Sequence, residues 1–342
     1  MKRVMIVLGL VAALFAFTGC GSDTLNVFNW GDYIDEEVLG IFTEQTGIQV
    51  NYQNFATNEE MYTKIKNGGS EYDVLFPSDY MINKMIKEDM LEKLDMQNIP
   101  NIAHIGDQFR NLSYDPNGEY SVPYMWGTLG ILYNTAMVDE AVDSWDILWN
   151  AKYENRIFMY ESMRDSFTPA FKRLGFSINT TDSAEIDAAK RLLIEQKPII
   201  RAYVGDAVKD SMIGGEGALS LVFSGDAVFC IEENPDLAFA VPKEGSNIWF
   251  DAVVVPKGTK HKKEAEAFIN FLCDPDIALK NTEYIGYSTV NMTAFENLPQ
   301  EVQDDPVYWP RLESLGNSEV FLDIGDYIGE YDKAWTEVLA SE

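Results

Sequence analysis

The sequence predicts an α/β protein of two lobes, each a mostly parallel sheet flanked by helices. Three observations predict it: strand-like apolar runs alternate with helical stretches, that rhythm restarts beyond Tyr124, and 342 residues suffice for about two domains. The first lobe opens with a strand at 25–29 and a helix at 34–46, where Ile34, Val38, Leu39, Ile41 and Phe42 recur at helical spacing until Gly47 stops it. A second strand follows at 48–52. Thr57-Asn58-Glu59-Glu60 has the spacing of a capping box, in which the Thr hydroxyl and a Glu three residues on satisfy free N–H groups, and the helix it opens ends near Gly68 and Gly69. Residues 74–76 read as a buried strand entering Pro77-Ser78-Asp79-Tyr80, with a helix at 81–90 behind it. In the second lobe Ser144 caps a helix through Trp149, 157–160 is a strand, and Asp182 opens a helix to about Glu195. Strands at 218–223, 237–241 and 249–255 and helices at 264–273 and 326–340 complete the count.

Charge and composition exclude whole classes of function. With 55 acidic against 26 basic residues the net charge is −29, so no basic stripe is available for phosphates and nucleic acid is not a partner, whereas cations are drawn in. His104 and His261 are too few and too far apart for a zinc cluster, and the three cysteines show no C-x-x-C pair, so neither a metal nor another cofactor is expected. Gly214-Gly215-Glu216-Gly217 lacks the third glycine of a dinucleotide fingerprint, and no phosphate-loop or nucleophile-elbow motif occurs. Cys230 and Cys273 each sit in an apolar run and are expected as unpaired core thiols. Trp145, Trp149, Trp309 and Trp335 lie away from the strand ends and are expected in packing.

The N-terminus is an address. Lys2 and Arg3 precede an apolar run at 4–17 that is short for a membrane span and right for a signal peptide at 1–19. Phe17-Thr18-Gly19-Cys20 resembles the lipobox of bacterial lipoproteins, which makes Cys20 the expected lipid attachment site and 20–23 a tether. The product is an extracytoplasmic, membrane-anchored, acidic protein.

In open α/β sheets ligands sit beyond the carboxyl ends of strands, and here those positions share one chemistry. Trp30-Gly31-Asp32-Tyr33 follows the first strand, Ser78-Asp79-Tyr80 the third, Glu161-Ser162 and Asp165 the strand at 157–160, and Ser224-Gly225-Asp226 the strand ending in Phe223. Trp249-Phe250-Asp251 opens another strand and Gly286-Tyr287 follows a helix. An aromatic face attracts a cation by about 0.5–2 kcal/mol, and a carboxylate adds a charge-assisted hydrogen bond. Four buried methylenes add only about 3 kcal/mol, so an ammonium stripped of water must meet an acid at each end. Aromatic walls with separated acidic ends are the physical negative of an α,ω-diamine or longer polyamine.

Six motifs carry a family resemblance: Phe28-Asn29-Trp30-Gly31-Asp32-Tyr33, Pro77-Ser78-Asp79-Tyr80, Tyr114-Asp115-Pro116-Asn117, Val122-Pro123-Tyr124-Met125-Trp126-Gly127, Trp249-Phe250-Asp251 and Ile285-Gly286-Tyr287. In order and spacing they resemble the spermidine/putrescine-binding proteins of polyamine ABC transporters, over essentially all of the chain beyond the leader. The resemblance implies a two-lobed periplasmic-binding-protein fold with the ligand in the interlobe cleft, one lobe from 24–125 and 252–296, the other from 126–251 and 297–342. It implies ligand contacts from Trp30, Tyr33, Ser78 and Tyr80 in the first lobe and an amine clamp of Trp249, Asp251 and Tyr287, with Asp165 in place of a family Glu and Phe223 in place of a stacking Trp. Gly31, Ser162 and Phe321 replace polar residues of the spermidine binders, while Asp32 and Asp226 match acidic ligands of the putrescine-preferring branch, so putrescine is expected ahead of spermidine. Glu161, beside Ser162, is placed to restore an acid for a third amine. The implied mechanism is hinge closure by a monomer that delivers its ligand to a permease driven by a cytoplasmic ATPase. Three rival readings remain open on the residues alone: an exported glycosidase using Asp165 and Asp251, a ferric carrier using Tyr33, Tyr80 and Tyr287, and a binder of another cationic solute.

Overall fold

The computed structural model describes residues 24–68, 71–205 and 207–341; the signal-peptide and Cys20 expectations lie outside the described residues. The chain opens with β1 (Thr24–Trp30), α1 (Glu36–Thr46), β2 (Gln49–Phe55), α2 (Asn58–Lys66), β3 (Val74–Leu75) and α3 (Asp79–Lys87), then crosses in β4 (Ser121–Asn134). The second lobe follows as β5 (Ile157–Tyr160), α4 (Met163–Leu174), α5 (Ser183–Gln196), β6 (Ile200–Val204), α6 (Val208–Ile213), β7 (Leu219–Phe223), α7 (Ser224–Glu233) and β8 (Leu237–Ala240). Then come β9 (Ile248–Val254), α8 (Lys262–Leu272), α9 (Pro275–Ile285), β10 (Ser288–Thr289), α10 (Met292–Asn297), α11 (Gln300–Gln303) and finally α12 (Ile328–Ala340).

Local signals account for several boundaries. Asp35 caps α1 by accepting from the Glu37 N–H at 2.9 Å, and Gly47 ends it in the left-handed region at φ 77°. Thr57 caps α2 by accepting from the Glu60 N–H at 3.1 Å, while the Glu60 carboxylate reaches back one residue further than a strict capping box, to the Ala56 N–H at 2.9 Å. Asp182 caps α5 as its position suggested. The segment after Ser144 is a 3₁₀ helix, Trp145–Trp149, rather than an α-helix.

The strands form one curled sheet in the order β2-β1-β3-β9-β4-β7-β5-β6, with β10 and β8 also paired to β4. The β–α units supply the expected parallel pairs, β1 with β2 and β3, and β5 with β6 and β7. The crossing strands add antiparallel pairs, because β4 and β9 run against each other and against β7 and β3 respectively. Residues 121–128 of β4 pair with β9, and residues 129–133 pair with β7, so one strand is shared by both halves of the sheet.

Three hydrophobic clusters follow from this layout. The first packs Phe28, Phe42, Phe76, Trp126, Phe250 and Phe268 under β1, β3 and β9. A second takes Leu129, Ile131, Trp145, Phe158 and Leu221, and a third joins α4, α5 and α12 through Phe167, Phe171, Leu193, Tyr331 and Trp335. Core membership therefore changes hands within β4, between Trp126 and Leu129. Cys230 and Cys273 are free and buried, in the second and first clusters respectively, and burial pushes both thiols up to about 12.

Candidate ligand-binding site

Five strand ends converge on the seam between the lobes. Trp30 ends β1, Ser78 follows β3, Phe223 ends β7, Tyr160 ends β5, and Trp249 and Asp251 lie on β9, whose Asp251 forms an isolated antiparallel bridge with Ser78. The turn after β1 puts Asp32 at φ 50°, leaving its side chain exposed and sending Tyr33 inward. The Tyr33 hydroxyl donates to Asp251 Oδ2 at 2.7 Å. Asp251 is only 7 % exposed, and its other oxygen, Oδ1, has no hydrogen-bond partner. Burial pushes this carboxyl up to about 6, against the opposing pull of the bonded Tyr33 hydroxyl and of the Ser78 side chain, which lies near the carboxyl without making a hydrogen bond to Oδ1. A buried carboxylate oxygen without a donor is costly to leave unmet, which points to a donor that arrives from outside.

An unbroken run of rings crosses the seam beside it. Tyr33 meets Tyr287 edge-on at 5.9 Å, Tyr287 meets Trp249 at 5.2 Å, Trp249 meets Phe223 at 6.0 Å and Phe223 meets Tyr160 at 5.1 Å. Tyr124 closes the first-lobe end against Tyr33 at 5.6 Å, and the Trp249 indole N–H is buried without an acceptor. Two glycines make this approach possible. A Cβ on Gly225 would lie 1.5 Å from the Tyr287 ring, and one on Gly127 would lie 2.5 Å from the Trp249 ring.

Two acids come from the first turns of second-lobe helices. Asp165, on α4, is 9 % exposed, and burial pushes it up to about 6 against the opposing effects of Ser162 and Arg164. Arg164 is occupied on its far side: its guanidinium donates to the Leu322 and Ile178 carbonyls at 3.0 Å and to Asn179 Oδ1 at 2.8 Å, and its face lies 4.2 Å from the Phe321 ring. Asp226, on α7, accepts from the Tyr160 and Tyr287 hydroxyls, each at 3.2 Å, and pairs with Lys209 at 3.4 Å.

The other expected residues lie in differing surroundings. Trp30 donates its indole N–H to the Phe76 carbonyl at 2.7 Å and lies against Phe55. Asn58 ties Ser78 and Tyr80 together, donating to both hydroxyls at 3.1 and 3.2 Å, and Tyr80 packs against hydrophobic clusters of both lobes. The exposed Asp32 is not brought among the buried acids, and neither Glu161 nor Ser162 is buried. Sequence reasoning missed Tyr160, Arg164, Lys209 and Asn58. The first two stand within five residues of Asp165 at a strand end already singled out, so reading side chains on both sides of that end would have found them.

The ferric reading loses its geometry here. Tyr33, Tyr80 and Tyr287 donate to three different carboxylates, Asp251, Glu59 and Asp226, instead of converging on one point. Among the described residues no group of three His, Cys, Asp or Glu side chains could hold a metal ion.

A shared sheet crossed twice by the chain, with rings and acids gathered at the seam, defines a two-lobed solute-binding protein. The family model for bacterial extracellular solute-binding proteins matches residues 37–308, and the chain belongs to that family. It is 35% identical to the spermidine/putrescine-binding periplasmic protein of Salmonella typhimurium over 342 residues, 99% of this chain and 98% of the relative. The solved spermidine/putrescine ABC transporter substrate-binding protein PotD of Streptococcus pneumoniae is 44% identical, covers 93% of this chain and 99% of its own, and superposes with a TM-score of 0.85. The TpPotD lipoprotein of Treponema pallidum is 28% identical with a TM-score of 0.84, covering 92% of this chain and 99% of its own. The family is that of a transport component working outside the cytoplasm, and no described helix is long and apolar enough to cross a membrane.

Proposed function

We propose that this protein is the polyamine-binding component of an ABC importer, taking putrescine first and spermidine second, and releasing its ligand unaltered to a permease driven by a cytoplasmic ATPase. One observation carries the reading: the unpartnered Oδ1 of buried Asp251 beside the Trp249–Tyr287 rings offers what an ammonium on an alkyl chain requires. The names of the two spermidine/putrescine relatives support the same ligand class.

On this reading Trp30, Tyr33, Ser78 and Tyr80 form the first-lobe wall, Trp249, Asp251 and Tyr287 hold one amine, and Asp165 with Phe223 faces the other from the second lobe. Asp32, exposed on its turn, adds attraction at longer range. The lobes are 24–125 with 252–296, and 126–251 with 297–342. Closure is favoured by contacts made only when they meet, such as Tyr287 on Asp226, and the ligand adds its own to that state. Cys20 carries a lipid anchor, as the lipoprotein description of the Treponema pallidum relative supports.

Calorimetric titration of the purified protein with putrescine, cadaverine, spermidine and spermine tests this. Saturable binding of at least one amine at micromolar concentration or below is expected. No binding of any of the four overturns the reading.

A further inference from the structure

The acids of the seam are not equivalent, and the difference bears on which polyamine fits. Asp251 keeps an oxygen without a partner, and burial pushes both Asp251 and Asp165 up, as it does for carboxyls whose charge is poorly compensated. Asp226, 8 % exposed, is already met by an ammonium of the chain itself, the Lys209 side chain of α6, 3.4 Å from Oδ1. Its two oxygens also accept the Tyr160 and Tyr287 hydroxyls. Lys209 thus presents to Asp226 the same group, a primary ammonium on a four-carbon stem, that a diamine would bring.

We propose that Lys209 is a specificity-determining residue: by occupying Asp226 it limits the uncompensated acids of the cleft to those a diamine needs, and so biases the site against a triamine. The inference rests on the polyamine reading and reassigns Asp226, which the sequence marks as an amine ligand. Asp226 becomes a post that Lys209 neutralises and that Tyr287, reaching from beyond β9, ties to the first lobe. A third ammonium entering the second-lobe end meets a carboxylate that is already balanced and a lysine of its own sign, which is discrimination by repulsion as well as by fit. A lysine whose role is only to brace α6 against α7 would change stability without separating two ligands.

The test is a comparison of dissociation constants for putrescine and spermidine, by calorimetry, in the wild type, Lys209→Gln, Lys209→Met and the double variant Lys209→Gln/Asp226→Asn. Freed of Lys209, Asp226 gains the third amine, so both single variants shift the spermidine-to-putrescine ratio at least fivefold toward spermidine, and the double variant returns it to within twofold of the wild type. A ratio that moves less than fivefold in either single variant, or a shift that persists without the acid, overturns the proposal. Wild-type protein that binds neither amine sinks the polyamine reading instead, which keeps the two failures apart.

Discussion

Asp79 and Asp251 are two buried carboxylates at neighbouring strand ends, 1 % and 7 % exposed, and burial raises the pKa of both. What separates them is how their oxygens are used. Asp79 accepts from the Tyr80 N–H at 2.6 Å and the Phe250 N–H at 3.1 Å, one bond to each oxygen, and so fastens the start of α3 to β9. Asp251 accepts one hydroxyl and leaves Oδ1 empty. Burial alone therefore does not single out a candidate ligand site; unfilled acceptor capacity beside aromatic faces is what distinguishes Asp251.

The contrast breaks most sharply on paired substitutions. Asp251→Asn removes the charge that an ammonium seeks and should weaken putrescine binding at least tenfold, about 1.5–3 kcal/mol for a charged hydrogen bond. The same change should stabilise the ligand-free fold. A carboxyl raised from 3.8 to about 6 by folding binds more protons folded than unfolded, so stability falls as pH rises through that window and the cost, about 3 kcal/mol at most, is fully present above about pH 6. Thermal melts of the ligand-free pair at pH 7 read that gain. Asp79→Asn keeps one acceptor oxygen but turns an amide nitrogen toward the second backbone donor, a mismatch of about 1–3 kcal/mol that opposes the relief of a carboxyl which burial also raises. Its gain at pH 7 should therefore be smaller than that of Asp251→Asn, while any folded protein keeps its amine preference. Melts and titrations on one preparation separate the two patterns.

Smaller effects sharpen the comparison. Trp249→Ala should weaken putrescine about tenfold, about 1.4 kcal/mol, in protein that still melts cooperatively, if the ring supplies the cation–π contact proposed for it. Affinity should also follow the charge of Asp251 and Asp165, both pushed up to about 6. It should stay level from pH 8 to 7 and fall below about pH 6, by up to about tenfold per pH unit for each carboxylate that must lose a proton. In Asp251→Asn one of those two contributions disappears, so a titration series from pH 5 to 8 should give a shallower fall.

Much of the fold was legible because its units are local. The strand Ile157–Tyr160 is a short apolar run between Arg156 and Glu161, and it forms as the pattern indicates. β4 was not legible as a strand, since thirteen of its fourteen residues are buried and a strand covered on both faces shows no alternation. α4 was hidden by its polar first turn and by Pro169 in its interior. The candidate site divides in the same way. Trp249 and Asp251 advertise themselves as a ring and an acid two residues apart, whereas Lys209 on Asp226 and Arg164 on Leu322 are meetings of elements brought together only by folding. Asp32 and Asp251 share a residue type and an aromatic neighbour in sequence, yet a left-handed turn leaves one in water while a central strand buries the other.

The most direct measurement is a crystal structure of the protein grown with putrescine. An amine nitrogen is expected about 3 Å from Asp251 Oδ1, with the alkyl chain against Trp249 and Tyr287. An amine bound elsewhere, or a seam that stays shut with Oδ1 still unpartnered at saturating putrescine, would contradict it.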